Sequence, residues 1–135
     1  MEQRTRFKII VYTILLIISL LLLVIWVWYV SGWSRDFQRV GNLKQIQLAM
    51  FTYYSQYGTY QLTDCQIGMT VADCFAKQSI FNKLFKIADP LSSGYYNYLI
   101  GSLNNNFYEI NFALEQGVGG LAAGRYILTK EGVRY

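Results

Sequence analysis

The chain of 135 residues has no histidine, a single proline and only two cysteines. Without histidine, the Ser-His-Asp arrangement and the commonest general base are both excluded. Two cysteines without histidine make a poor zinc site, because only carboxylates could complete the coordination. Charge is scarce too, at 15% of residues, and the net +4 is dispersed. Residues 1–8 carry Arg4, Arg6 and Lys8 against Glu2, a balance of +2, and from residue 31 onward nine basic residues face seven acidic ones, again +2. No run of five or more basic residues follows residue 31, so nucleic acid is not expected among the partners. No catalytic constellation emerges, and neither an enzyme activity nor a bound cofactor or metal is expected.

What the chain has in abundance is apolar and aromatic surface, with 53% hydrophobic residues, 12 Tyr and 8 Phe. From Ile9 to Val30 there are 22 consecutive uncharged residues, polar only at Thr13 and Ser19. As a helix this run is about 33 Å long, enough to cross a hydrocarbon core of about 30 Å. The basic tail before it predicts a cytoplasmic amino terminus, with residues 31–135 on the far side. Trp26, Trp28, Tyr29 and Trp33 gather at the other end as an aromatic belt. A cleaved secretory signal is the rival reading, but its apolar region is usually about 7–15 residues and ends at small residues, which this run does not do. Leu16, Leu20, Leu23 and Val27 form a stripe suited to packing against similar helices. Thr13 and Ser19 could bond across helices or back to their own carbonyls.

Beyond Gly32 the helical pattern becomes amphipathic. Leu43, Ile46, Met50, Tyr53 and Tyr57 recur at spacings of 3 and 4, predicting a spine with one face on a partner surface. Phe37 and Val40 can join this stripe. Arg35, Arg39 and Lys44 are expected on the exposed side, where they meet solvent, headgroups or an acidic neighbouring subunit, and Asp36 and Arg39 are spaced for a weak i,i+3 pair. Gly32 and Gly41 are candidate bends, and Gly58 suits a left-handed helix end.

Cys65 and Cys74 are close enough in sequence to close a small disulfide loop in an extracytoplasmic domain; two inert thiols are the alternative, with redox or metal use behind them. Thr70 to Ile87 reads as weakly helical, with Ser79 able to cap a turn-run over Ile80 to Ile87, and Asp89-Pro90 stops it. From Gly94 the period changes to two. A hairpin with its turn at Asn104 to Asn106 carries Ile110, Phe112 and Leu114 on the face that covers the spine. Gly117 to Gly124 is expected to connect to a third strand, Tyr126 to Thr129, followed by a turn and a short tail. The Gly117 to Gly120 loop lacks the lysine and helix of a phosphate cradle. Asp89, the Leu91 and Ser92 carbonyls and Ser93 are a thin oxygen set for calcium, against a plain helix-to-strand turn.

These elements, with particular residues, resemble the type IV pilin superfamily, most closely the major-pseudopilin-like proteins of type II secretion. The resemblance rests on Arg35-Asp36-x-x-Arg39, Leu43-Lys44-Gln45-Ile46-Gln47-x-Ala49 and Tyr53-Tyr54-x-x-Tyr57-Gly58-x-Tyr60, followed in order by Asp89-Pro90-Leu91, Tyr95 to Tyr98, Tyr108-Glu109 to Leu114-Glu115 and Leu121-Ala122-Ala123-Gly124. The amino terminus departs from the family: Lys8 falls near the position of its early glutamate, no glycine precedes Gly32, and the proline that bends the family's membrane helix is missing. The resemblance implies an α+β fold, a long amino-terminal helix packed on a small antiparallel meander. The expected layout is a basic tail (1–8), a transmembrane helix (9–30) and an extracytoplasmic domain (31–135). The expected role is a membrane-anchored subunit that assembles with lipid and other pilin-like subunits in a type IV pilus or secretion pseudopilus. A solitary single-pass protein whose ectodomain binds an extracellular ligand or DNA is the alternative.

Overall fold

The computed structural model describes residues 2–81, 87–91 and 94–135. The fold is α+β, a long amino-terminal helix and a four-stranded antiparallel sheet, a layout consistent with that of pilins. Helix α1 runs Glu2–Tyr57, and the chain divides into two compact units, Met1–Gly32 and Trp33–Tyr135. In the first unit Leu16, Leu20, Leu23 and Val27 are exposed like the apolar residues around them, and this stretch is long and apolar enough to cross a membrane. Thr13 bonds back to its own helix, its hydroxyl donating to the Ile9 carbonyl at 2.9 Å. Gly32 and Gly41 lie inside continuous helix, so neither interrupts it.

In the second unit α1 ends where expected. Gly58 takes φ +70° and its N–H donates to the Tyr54 carbonyl at 2.8 Å, closing the last turn with a residue that has no Cβ to strain. A short helix, α2 (Val71–Lys77), starts at Thr70, whose hydroxyl accepts the Asp73 N–H at 3.1 Å. The sheet follows as β1 (Leu99–Leu103), β2 (Tyr108–Val118), β3 (Leu121–Thr129) and β4 (Gly132–Arg134), in the spatial order of the sequence. Asn104 shapes the first turn, its Oδ1 accepting the N–H groups of Asn106 and Phe107 at 2.9 Å.

One core joins helix and sheet. Leu43, Ile46, Met50 and Tyr53 of α1 are buried with Ile110, Phe112 and Leu114 of β2 and with Val71, Cys74 and Phe75 of α2. Full burial of an Ile or Met side chain stabilises by about 1.5–3 kcal/mol. Tyr98 and Tyr108 belong to the same core, and burial pushes each hydroxyl up to about 12, so both stay neutral phenols at physiological pH.

The structure corrects several expectations. Tyr57 shares the angular sector of the stripe but stays 52% exposed, because the sheet does not reach the last turn; its ring only leans on Tyr53 at 4.6 Å. Phe37 is 64% exposed and lies off the stripe. There are four strands, because Val133-Arg134 pairs back onto Leu128 and Ile127 across a turn at Lys130-Glu131. The glycine-rich connection is mostly strand. Only Gly119 and Gly120 turn, while Gly117 sits in a bulge where a Cβ would come within 2.4 Å of the Leu121 carbonyl oxygen. Strand β1 begins at Leu99, not Gly94. Of the expected turn-run Ile80 to Ile87, residues 82–86 lie outside the described residues, and residues 79–81 form turns after α2 has ended.

Cys65 and Cys74 form a disulfide with their Cα atoms 5.2 Å apart, tying the loop after α1 to the buried side of α2. For a loop this small, the C65A/C74A variant should lose about 2–3 kcal/mol of stability. Urea unfolding of the full chain in lipid nanodiscs, followed by tyrosine near-UV circular dichroism, measures it.

Candidate functional site: a buried charge cluster between helix and sheet

Stepping back along the apolar stripe of α1 from Leu43 by four and then three residues gives Arg39 and Asp36. The stripe therefore continues as charge. Both side chains are fully buried, although ionised groups are seldom buried unless paired. Their partners come from the far side of the fold. Asp89, just before Pro90, meets Arg39 with both oxygens, at 2.5 Å from Nε and 3.1 Å from Nη2. Arg39 Nη1 also donates to Asp36 Oδ1 at 2.7 Å and to Glu115 Oε1 at 2.6 Å. The Tyr96 ring lies over the same guanidinium, 4.5 Å from Cζ to centroid. One turn earlier, Arg35 forks onto Glu115, with Nε donating to Oε1 at 2.8 Å and Nη2 to Oε2 at 2.6 Å.

Asp36 does more than balance charge. Its carboxylate accepts three successive backbone N–H groups of β2, from Glu115 at 3.0 Å, Gln116 at 2.7 Å and Gly117 at 2.9 Å. Those donors point the same way because the strand is bulged between Leu114 and Gly117, and Gly117, at φ +91°, is the residue type that tolerates the bend. The loop before β1 is held likewise, since Asp89 Oδ1 accepts the Leu91 N–H at 2.9 Å. Among the described residues no buried side-chain nitrogen or oxygen lacks a partner.

The electrostatics are those of a clamp. Burial alone would lower the Arg39 pKa, but hydrogen bonds to Asp89, Glu115 and Asp36 outweigh it and hold the guanidinium above its ordinary value. Hydrogen bonds from Arg35 hold the Glu115 carboxyl below the usual carboxylate range, against its own burial and with help from Arg39. The cluster joins α1, the 89–91 turn and β2 at one point.

Placing Arg35 and Arg39 on the exposed side of the spine is thus corrected. Arg39 is fully buried, the carboxylates it meets belong to its own chain, and Asp36–Arg39 is part of a five-residue network; Lys44 alone of the three is exposed. Among the described residues no group of three acidic, cysteine or histidine side chains is arranged to hold a metal ion. Asp89 is engaged with Arg39, and Ser92 and Ser93, the other half of the calcium set, lie outside the described residues. Asp73 belongs to the α2 cap, where Thr70 Oγ1 donates to it at 2.6 Å, and the Asp64 carbonyl accepts from Lys77 Nζ at 3.2 Å.

Removing one partner from a buried ion cluster strands the others. R39M should cost about 3–5 kcal/mol, against a change within about 0.5 kcal/mol for K44M at the exposed position; equal effects in urea unfolding would contradict the clamp. Acid should release the same contact. Because the folded pKa of Glu115 is the lower one, its ionised form contributes stability above the unfolded value of about 4.3, and that contribution is lost as pH falls through the folded value. E115Q should therefore lose less stability than the parent between about pH 5 and pH 2, and parallel acid curves would dissociate Glu115 from the response. Comparison with protein-family models, with curated proteins and with solved structures gives no match to this chain.

Proposed function

We propose that the chain is a structural, membrane-anchored subunit of the pilin or pseudopilin type. Residues 9–30 anchor it in the cytoplasmic membrane with the basic tail inside and residues 31–135 outside. The subunit assembles through α1 with similar subunits into a type IV pilus or a type II secretion pseudopilus, and it acts by docking, not by turnover.

The observation that carries this reading is apolar surface on α1 that its own domain does not use. In the domain half, Trp33, Phe37, Leu48 and Phe51 are all exposed. At about 100° per residue they fall within one sector of about 60°, well away from the sector of Leu43, Ile46 and Met50 that meets the sheet. Two exposed apolar pairs, Trp33 with Phe37 and Leu48 with Phe51, lie on one side of α1 with Lys44 between them, and exposed apolar surface of this kind favours a protein partner. In the anchor, Leu16, Leu20, Leu23 and Val27 offer a second stripe, suited to helix packing in lipid. The α+β layout is compatible with the pilin fold, and the order of the motifs around Arg35-Asp36, Asp89-Pro90 and Tyr108-Glu109 adds to the likeness.

Cysteines introduced singly at Leu16, Leu20, Leu23, Phe37 and Leu48 test the assembly in native membranes. Oxidation should give ladders of multimers at positions on the two stripes and little at a cysteine placed at Gln38, which is exposed on a different side of α1. Monomers throughout would remove the assembly role and leave a solitary single-pass protein.

A further inference from the structure

We propose that the face of the sheet turned away from α1 binds an acidic saccharide, a sugar ring that carries a carboxylate. Strand register defines that face. Leu99 pairs with Asn111, Asn111 with Ile127 and Ile127 with Arg134, so these four form one row across the sheet, and Arg125, paired with Ala113, stands one step along it. The alternate row, Ile100, Ile110 and Leu128, enters the core shared with α1. Over the outward row lies a cavity of about 460 Å³ lined by Tyr95, Asn97, Leu99, Asn111, Arg125 and Ile127. Ligand sites commonly span about 300–1,000 Å³.

The lining is chemically specific. The Arg125 guanidinium carbon lies over the Tyr95 ring, 4.8 Å from its centroid, and the side chain has no carboxylate partner among the described residues. A guanidinium resting against a ring still has N–H groups to donate, and its planar fork matches a carboxylate in two-pronged fashion. Arg134 belongs to the same row but not to the lining, so Arg125 is the cation of the cavity. Glu109, further along β2, is not part of the lining. The side-chain amides of Asn97 and Asn111 make no hydrogen bond among the described residues. Each amide offers donors and an acceptor side by side, the complement of neighbouring sugar hydroxyls. Asn111 is also seated: a Cβ on Gly101 would come within 2.8 Å of its Nδ2, so the bare glycine makes room for the amide. Tyr95, 54% exposed, supplies a ring face for the apolar C–H side of a sugar.

The same parts fit a nucleic-acid strand poorly. A polyanion needs cations spaced along a track for successive phosphates, and this cavity concentrates its guanidinium, amides and ring around one or two ligand rings. The assignment does not depend on whether the chain assembles.

The test uses the full chain in phosphocholine nanodiscs, titrated by calorimetry and by saturation-transfer NMR. The probes are a glucuronic-acid-containing disaccharide, its neutral counterpart and a short oligothymidylate. Saturable binding of the acidic disaccharide is expected. R125Q should weaken it about tenfold while leaving weak binding of the neutral sugar unchanged, and N111A should weaken both sugars. Unchanged circular dichroism establishes that the variants are folded. Absence of saturation by about 10 mM, identical affinity in R125Q, or tighter binding of the oligothymidylate would each overturn the proposal.

Discussion

A guanidinium enclosed by carboxylates from three parts of the chain sets where the helix lies on the sheet. The apolar core that Ile46 and Met50 share with Ile110 and Leu114 holds the two layers together, but hydrophobic burial is non-directional and tolerates sliding. Arg39 does not. Moving α1 by one residue would separate it from Asp89 and Glu115 and would draw Asp36 away from the three N–H groups of the β2 bulge. Buried charge carries a large desolvation cost, offset only when the whole set of partners is present. The cluster therefore acts as an all-or-none alignment mark, and the apolar stripe supplies most of the adhesion.

The two units of the chain divide the helix chemically. In the first unit the run from Ile9 to Val30 is apolar on every side, while the second unit presents different chemistry on different sides of α1. Leu43, Ile46 and Met50 are consumed by the core. Trp33, Phe37, Leu48 and Phe51 are not, and the outward face of the sheet, with Arg125, Asn111 and Tyr95, is a third surface of different character. A domain of roughly 100 residues has room for one core only, so its remaining surfaces are free to specialise.

Much of the fold was legible from periodicity. The uncharged run, the stripe at spacings of 3 and 4, the alternation around Ile110, Phe112 and Leu114 and the asparagine turn all report burial directly, and the cysteine pair reported its own link. The charge cluster was not legible because residue type places Arg35 and Arg39 in solvent and spacing gives Asp36 and Arg39 only as a weak i,i+3 pair, although both continue the stripe from Leu43. Asp89 and Glu115 carried no sign of pairing with Arg39, since only the fold brings positions 50 and 76 residues away onto it. Tyr57 failed in the opposite sense: it has the period of the core, but where the sheet ends is a tertiary fact. Strand β4 was hidden by its length, because three residues carry too little alternation to distinguish a strand from a tail.

Asp36, Arg35 and Arg39 have a mechanical meaning as well. They occupy a little over one turn of α1, about 6 Å along its axis, and grip β2 side by side. Tension along the helix would load these contacts together in shear instead of peeling them apart in succession. Rivets set abreast resist a pull far better than a zipper opened from one end, and this joint stands near the start of the part of α1 that meets the sheet, where a pull from the amino-terminal end of the helix would arrive first.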